Sequence, residues 1–379
     1  MNTVPEMVET IGAAFARGED VVLATVVKVE NSAYRRPGAR MLVCADGQHA
    51  GTVSGGCLEA EIVRKAWWLT SGGAPVVCRY DTSAGAEAEW AFGLGCNGAV
   101  YVLLEHLSER SPQWQWLQSI AMQRQSAVCA VVIGRSGVSF LDVGQRLFIA
   151  PDGIRSGDLG DSNLQERVFT DLQAALDENA SRLSSYLVNG GEVEFFLEVL
   201  APPPHLVIFG AGHDAVPLAH MATDLGWVTV VTDGRSHFAR RSRFARVDQV
   251  NVLDLDDVIA SAGITPGSVA VIMTHSYEQD RRILEQLLEV PPCYLGQLGP
   301  RARTERLLEE IGARGKAEKL VDAGVLHYPV GLDIGAENPQ EVALAILAEI
   351  KAALGGYAGG KLHAREGAIH RDAVVETPL

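Results

Sequence analysis

Residues 205–233 constrain the fold of this chain more than any other segment. The short apolar run His205–Phe209 leads directly into residues 210–215, GAGHDA, which fit the pattern G-x-G-x-x-A. A helical segment follows, and then a second apolar run that ends at Asp233, 21 residues beyond Gly212. A glycine fingerprint alone is a weak signal. Strand, glycine turn, helix, strand and acid in this order predict a Rossmann-type βαβ unit.

Two later segments point to the same crevice. Residues 269–273 form an apolar strand that ends next to His275, and the carboxyl ends of parallel strands line the ligand crevice in such folds. His275 is therefore a candidate proton donor, anion ligand or orienting group, although a structural, hydrogen-bonded histidine fits equally well. Arg301 and Arg303 fall in the first turn of a later helix, where the helix dipole disfavours cations unless an anion lies nearby.

A second kind of site is indicated by residues 52–62, TVSGGCLEAEI. Cys57 stands behind Gly55 and Gly56 and ahead of Glu59, and a helix is predicted to start directly after the cysteine. A glycine turn before a helix can aim amide groups and a thiol at a ligand. The pattern indicates either a site for an anion and a soft metal or an ordinary strand-to-helix turn around a small buried cysteine.

The six cysteines are scattered, with no C-x-x-C pair. This spacing argues against a disulfide framework and against a structural zinc site. Cys96 lies in a second glycine-rich turn, GLGCNG, and it is a candidate reactive thiol together with Cys57. The other four cysteines lie in apolar or proline-flanked segments and are predicted to be core residues: Cys44, Cys78, Cys129 and Cys293.

The net charge of -15 argues against a nucleic-acid surface, because binding to phosphates requires a basic excess. The first twenty residues carry acids and no long apolar core, so no signal peptide is expected. No apolar run is long enough to cross a bilayer. A cytoplasmic protein without membrane segments is therefore the expectation.

The chain is predicted to divide at residues 201–204, APPP, because a proline run is stiff and cannot donate to a sheet ladder. Strand-like and helix-like patterns alternate before this linker and predict a strand at 139–141 and a long helix at 163–187. No internal repeat is evident. The predicted α/β organisation is a mixed N-terminal domain at 1–200, a Rossmann-like parallel-sheet domain at 205–354 and a mobile tail at 355–379.

The chain resembles the XdhC/CoxI family, the accessory proteins of molybdenum hydroxylases such as xanthine dehydrogenase. The resemblance covers both predicted domains in order and rests on LATVVKVENSAYRRPGARMLV, GTVSGGCLEAEI, GLGCNG, FGAGH, TDGR, THSYEQD, YLGQLGPRAR and PVGLDIGAENPQEVALAILAEI. It implies a factor that binds the molybdenum cofactor, protects it during sulfuration and inserts it into an apo-hydroxylase. A homodimer and a cysteine desulfurase as a further partner are also expected.

On this resemblance the ligand is the molybdenum cofactor, molybdopterin, either without a nucleotide or in its dinucleotide form. Cys57 and Cys96 would approach the molybdenum or take part in sulfur transfer, and Arg235 would serve the phosphate or nucleotide. Arg36 and Arg40 could add anion contacts or be solvated loop charges. The predicted catalytic residues are Cys57, Cys96 and His275. The predicted cofactor contacts are Gly55, Gly56, Cys57, Glu59, Gly210, Gly212, His213, Asp233, Arg235, His275 and Arg301.

Two other functions fit parts of the sequence. An NAD(P)-dependent oxidoreductase would use Asp233 to bind a ribose and His275 as acid or base, but the first domain shows no obvious substrate-activating pair. An interaction scaffold with a vestigial Rossmann site is disfavoured by the intact fingerprint of Gly210, Gly212 and Asp233.

Overall fold

The computed structural model describes residues 4–364 except 32–34, 57, 82–97, 122, 124 and 189. The described residues up to 202 form one compact unit, and those from 203 onward form a second. Among the helices of the described residues, none combines the length and the apolar character that a membrane span requires.

The first unit begins with an antiparallel sheet of five strands. The strands are β1 Val21–Asn31, β2 Arg40–Cys44, β3 His49–Gly51, β4 Val76–Asp81 and β5 Gly98–Leu107, in the order β3-β2-β1-β5-β4. Helix α1 Val4–Ala16 precedes β1, and helix α2 Glu59–Leu69 connects β3 to β4. The buried face of α2 packs on one face of this sheet through residues such as Ile62 and Ala66.

A second five-stranded antiparallel sheet completes this unit. Its strands are β6 Ala127–Ser136, β7 Arg146–Ile149, β8 Arg155–Gly157, β9 Arg182–Val188 and β10 Gly191–Leu200, in the order β8-β7-β6-β10-β9. Helix α3 Pro112–Ala121 precedes β6, and helix α4 Ser162–Asp177 packs on one face of the sheet. The two sheets meet through Val27, Leu103, Val131 and Phe196, so the layers run helix, sheet, sheet, helix.

The two sheets are an internal repeat, which contradicts the expectation from sequence. Strand order is the same, and the first residues of four equivalent strand pairs differ in number by 106: Val21 and Ala127, Arg40 and Arg146, His49 and Arg155, Val76 and Arg182. The fifth pair, Gly98 and Gly191, differs by 93, because the connection before β10 is shorter. The turns before β2 and β7 have the same backbone hydrogen bonds at equivalent residues. Gly38 donates to Val26 at 2.7 Å with φ 93°, and Gly144 donates to Val132 at 2.9 Å with φ 87°.

Two ion pairs join the sheets at equivalent positions. Arg40 donates to Glu198 at 2.5 Å, and Arg146 donates through both terminal nitrogens to Glu105 at 2.5 and 2.6 Å. Each glutamate is the eighth residue of its strand, β10 or β5, so each half supplies one arginine and one glutamate. All four side chains are at most 14% exposed, and the two halves are therefore locked by a crossed, largely buried charge cluster.

Two of the predicted elements in this unit are wrong. The helix predicted at 163–187 ends at Asp177, and Arg182–Val188 forms strand β9 instead. Asn179, with φ 50°, follows the helix, and the next residues alternate between buried and exposed, which is the period of a strand. Residues 139–141 lie in the connection between β6 and β7 and pair with no strand.

The second unit is a six-stranded parallel sheet. Its strands are β11 His205–Phe209, β12 Val228–Asp233, β13 Gln249–Val252, β14 Ser268–Ile272, β15 Tyr294–Gln297 and β16 Leu326–His327, in the order β13-β12-β11-β14-β15-β16. This is the doubly wound Rossmann order, which places the topological switch point between β11 and β14. The predicted fold class is confirmed.

Helices cover both faces of this sheet and belong to two separate clusters of buried side chains. The helices are α5 Ala215–Asp224, α6 Val258–Ala262, α7 Tyr277–Glu289, α8 Arg301–Glu310, α9 Arg314–Asp322 and α10 Pro339–Leu354. Helix α10 starts with a complete capping box between Asn338 and Glu341 and packs beside α5. Short 3₁₀ turns lie at Arg241–Arg243 and Leu362–Ala364.

Candidate functional site

The glycine turn before α2 is organised by a carboxylate from inside the helix. Glu59, only 6% exposed, accepts six hydrogen bonds, three on each oxygen. One oxygen accepts from the hydroxyl of Thr52 and the amides of Val53 and Ser54. The other oxygen accepts from the hydroxyl of Ser54 and the amides of Gly56 and Leu58.

Glu59 remains ionised throughout the ordinary pH range. Burial alone raises the pKa of this carboxyl, but the hydrogen bonds from Ser54 and Thr52 outweigh burial and lower the pKa to about 2. The backbone amides that were predicted to face an external anion therefore donate to the carboxylate of Glu59 instead. Gly55 and Gly56 have φ of 92° and 119° and are exposed, so the turn requires glycine at both positions.

The two candidate thiols, Cys57 and Cys96, lie outside the described residues. The chain neighbours of Cys57, Gly56 and Leu58, both donate their amides to Glu59. Within the described part of the chain, no three His, Cys, Asp or Glu side chains gather into a group that could hold a metal ion. The roles predicted for the two thiols stay predictions.

The four cysteines predicted to be core residues differ in exposure. Cys129 is buried, and its burial raises the pKa of the thiol to about 12, so this cysteine is unreactive at neutral pH. It lines a cavity of about 30 Å³ beside the crossed ion pairs. Cys44 and Cys78 are only half-buried. Cys293 lies in the connection before β15 and is exposed, so the core prediction is wrong for it.

At the switch point of the second unit, the glycine turn and a histidine come together. Gly210 has φ 120°, and a Cβ there would lie 2.5 Å from the carbonyl oxygen of Met273. A Cβ on Gly212 would lie 3.7 Å from the ring of His275. The ring of His275 lies 3.0 Å from the carboxylate of Asp214, and its backbone has φ 58°. Residues other than glycine rarely adopt this left-handed conformation, and such residues cluster at functional sites.

Asp233, the residue predicted to bind a ribose, accepts hydrogen bonds from other groups of the protein. Asp233 is fully buried and accepts from the amide of Ala211 at 2.9 Å and from the guanidinium of Arg235 at 2.8 and 2.9 Å. Burial raises the pKa of Asp233, while the hydrogen bonds from Arg235 and Ala211 lower it, and the net shift is downward. Arg235 also donates to the carbonyl of Thr274 at 3.0 Å. A ribose could reach this carboxylate only after Arg235 had moved.

A further arginine holds the glycine turn and was not identified from sequence. Arg243 donates to the carbonyl of Ala211 and, at 3.2 Å, to that of Gly212. The ring of Phe238 lies against the guanidinium groups of both Arg235 and Arg243, at 4.3 and 5.6 Å from its centroid. The sequence shows many arginines in this segment, but no spacing signal ties one of them to backbone carbonyls of a distant turn.

The remaining predicted contacts lie on the same elements. His213 belongs to the glycine turn and is exposed. Arg301 is the first residue of α8, is 67% exposed, and lies 3.8 Å from Glu305 and over the ring of Tyr328. Arg40, proposed as an anion contact or a loop charge, is instead held by the interior ion pair described above, whereas Arg36 is exposed.

The comparisons with known proteins agree in both units. The model of the XdhC and CoxI family matches residues 14–81 and 120–187, two segments that are offset by the same 106 residues as the internal repeat. The XdhC Rossmann domain model matches residues 206–350.

Related whole chains point the same way. The chain is 31% identical to a probable xanthine dehydrogenase subunit of Bacillus subtilis (strain 168), over 88% of this chain and 92% of that one. It is 26% identical to the "Molybdenum cofactor insertion chaperone PaoD" of Escherichia coli (strain K12), over 89% and 84%. A crystal structure described as a xanthine dehydrogenase from Bacillus halodurans superposes with a TM-score of 0.73 at 30% identity, over 93% and 96% of the two chains. The chain belongs to the XdhC and CoxI family.

Proposed function

We propose that the protein is an accessory factor that binds the molybdenum cofactor and inserts it into a molybdenum hydroxylase of the xanthine dehydrogenase type. The relatives named as a molybdenum cofactor insertion chaperone and as a xanthine dehydrogenase subunit support this role. Protection of the cofactor during sulfuration, a cysteine desulfurase partner, a homodimer and a cytoplasmic location stay predictions.

The observation that carries the proposal is the turn fixed by Glu59. Six hydrogen bonds to Glu59 tie down residues on both sides of Cys57, namely 52–54, 56 and 58, and the turn is exposed at Gly55 and Gly56. Preorganised, exposed turns lower the entropy cost of binding. Thiolates are soft ligands that suit a molybdenum–sulfur centre, so the residue types of this turn fit the proposed ligand.

Each unit offers residue types that suit a different part of the cofactor. Cys57, with Cys96 as a second choice, would supply the soft ligand for the metal. The glycine turn from Gly210 to Gly212, with Arg235 beside it, would bind the phosphate or nucleotide end, since guanidinium groups and backbone amides suit phosphate. His275, oriented by Asp214, would donate to the same end of the ligand. When bound, the cofactor supplies the metal centre that the client hydroxylase requires.

A pterin assay on matched variants tests the proposal. The protein is purified from cells that make molybdopterin, oxidised, and measured for pterin fluorescence, beside activation of an apo-hydroxylase. Cys57→Ala should keep its melting temperature and lose most of the bound pterin. The control Cys129→Ala should retain pterin but lose about 1 kcal/mol of stability, because it enlarges a core void. Pterin binding and delivery by Cys57→Ala at the parent level would show that the thiol is structural.

An NAD(P)-dependent oxidoreductase is the second candidate, favoured by the Rossmann strand order and the intact glycine turn. The contact between Asp233 and Arg235 speaks against it, because the ribose-binding carboxylate is occupied. A titration with NADH, followed by nucleotide fluorescence, separates the two candidates. Saturable micromolar binding of NADH by a protein that carries no pterin would favour the oxidoreductase.

A further inference from the structure

The internal repeat gives the turn around Cys57 a natural counterpart. Residues 52–59, TVSGGCLE, are equivalent to residues 158–165, DLGDSNLQ, at the offset of 106 that holds for the strands on either side of them. The apolar positions agree, since Val53 and Leu159 are both fully buried, as are Leu58 and Leu164. The two segments therefore occupy the same place in the same scaffold, and their differences show what is special to the first.

In the second half the turn ends in an ordinary helix start. Asp161 is the N-cap residue of α4, and its carboxylate accepts from the amide of Leu164 at 2.9 Å. Helix α4 therefore begins at Ser162. Gln165, at the place of Glu59, accepts from the amide of Leu159 at 3.2 Å. That bond is the counterpart of the one from Val53 to Glu59, at 3.0 Å.

In the first half the helix begins three positions later. Gly55 stands at the place of the capping Asp161, and helix α2 starts at Glu59 with no side-chain cap from its N-cap residue Leu58. Gly56, equivalent to the first residue of α4, has φ 119°, which is not helical. The amides of Gly56 and Leu58 donate to the carboxylate of Glu59. The equivalent residues of the second half belong instead to the first turn of helix α4.

We infer that Glu59 is a positioning residue, which withdraws the residues on both sides of Cys57 from helix α2 and holds them as a turn. Both oxygens of Glu59 are occupied by the turn itself, so Glu59 acts on a ligand through the turn and not by contact. An amide at position 59 cannot replace the carboxylate, because its NH₂ group would face the N–H groups of Gly56 and Leu58. The inference rests on the proposed function only where retention of the cofactor is the readout.

The test measures hydrogen exchange of residues 52–59 and pterin content in the full-length variant Glu59→Gln. We expect exchange at Gly56 and Leu58 to accelerate by about tenfold or more, since two hydrogen bonds to a charged acceptor are lost. The amide of Val53 should be less affected, because one oxygen remains. Pterin content should fall by at least about fivefold, given that one lost hydrogen bond to a charged group is worth a factor of ten or more.

Two matched variants control for loss of charge and loss of fold. Glu61→Gln removes a half-buried carboxylate of the same helix that pairs with Arg64 and Lys65, and Gln165→Glu changes the equivalent position of the second half. Neither should alter exchange of residues 52–59 or pterin content. Should Glu59→Gln not fold, Ser54→Ala removes one donor to Glu59 and should give a smaller acceleration in the same residues.

The outcomes separate this inference from the proposed function. Faster exchange together with loss of pterin supports the positioning role. Unchanged exchange overturns it, and so does faster exchange with pterin retained at the parent level. Loss of pterin with unchanged exchange would make Glu59 a direct ligand and also overturns it. A parent protein without pterin would refute the proposed function, while exchange in Glu59→Gln would still decide whether the carboxylate holds the turn.

Discussion

Removal of one member of a crossed ion pair should destabilise the first unit strongly. In Glu105→Leu the guanidinium of Arg146, which is only 12% exposed, loses both of its bonds to the carboxylate. Removal of one partner of a buried ion pair lowers the free energy of unfolding by about 3–5 kcal/mol, mostly because the remaining charge stays buried without compensation. For a unit of about 200 residues, this corresponds to a fall of roughly 10 °C in melting temperature.

The double variant Glu105→Leu/Arg146→Met separates the charge from the packing. With both charges replaced by apolar groups of similar size, the free energy of unfolding should return to within about 1–2 kcal/mol of the parent, because desolvation of the pair roughly offsets its attraction. The equivalent single variant Glu198→Leu should cost about as much as Glu105→Leu, because its pair with Arg40 has the same place in the other half.

Urea titrations followed by tryptophan fluorescence measure these changes, since five of the six tryptophans precede residue 203. The reasoning is refuted if Glu105→Leu and the double variant unfold at the same urea concentration. It is also refuted if the single substitution costs less than about 1 kcal/mol, the value of an exposed pair.

Three further predictions follow from single residues. The pKa of Glu59 in the folded protein, about 2, lies below its ordinary value of 4.5. Ionised Glu59 therefore contributes about 3 kcal/mol to the free energy of unfolding above pH 4.5, and this stability is lost as the pH falls toward 2. Unfolding free energies of Glu59→Gln measured over the same pH range should lack this loss. Gly210→Ala should lower the melting temperature of the second unit far more than the control Gly263→Ala, because both glycines have positive φ but only Gly210 is crowded by backbone; equal effects in calorimetry would contradict this. Arg243→Lys should lower the free energy of unfolding in urea by about 1–2 kcal/mol, because an ammonium group cannot donate to the carbonyls of Ala211 and Gly212 in the geometry of a guanidinium. Stability equal to the parent's would show that Arg243 does not hold the glycine turn.

The second unit could be predicted from sequence because its signals are local. The strand, the glycine turn and Asp233 follow one another within about thirty residues, and each has a direct physical reason. Helix α10 is marked in the same way by Asn338, Pro339 and Glu341. The partners of these residues could not be predicted. Asp233 is an acid in the expected place, but only the folded chain shows that Arg235 occupies it.

The first unit resisted prediction because its regularity lies in the backbone. Equivalent turns share glycines with positive φ and the same main-chain hydrogen bonds, whereas most side chains differ. The strand Arg182–Val188 is hard to separate from the preceding helix in the sequence, because its apolar residues continue the helical spacing. The role of Glu59 depends on donors that converge only when the turn has closed, so the sequence could identify the turn without showing which residue holds it.

The doubled scaffold has a consequence for how this protein can change. Sixteen residues, 82–97, separate β4 from β5, whereas only two, 189 and 190, separate β9 from β10. Both glycine-rich segments that carry the candidate thiols, Cys57 and Cys96, therefore belong to one copy. The plainer copy is a ready recipient for a transplanted segment, because residues 158–165 can be exchanged for TVSGGCLE without a change in length. Such a chimaera would show whether the properties of the segment depend on its own sequence or on the residues that surround it in the first half.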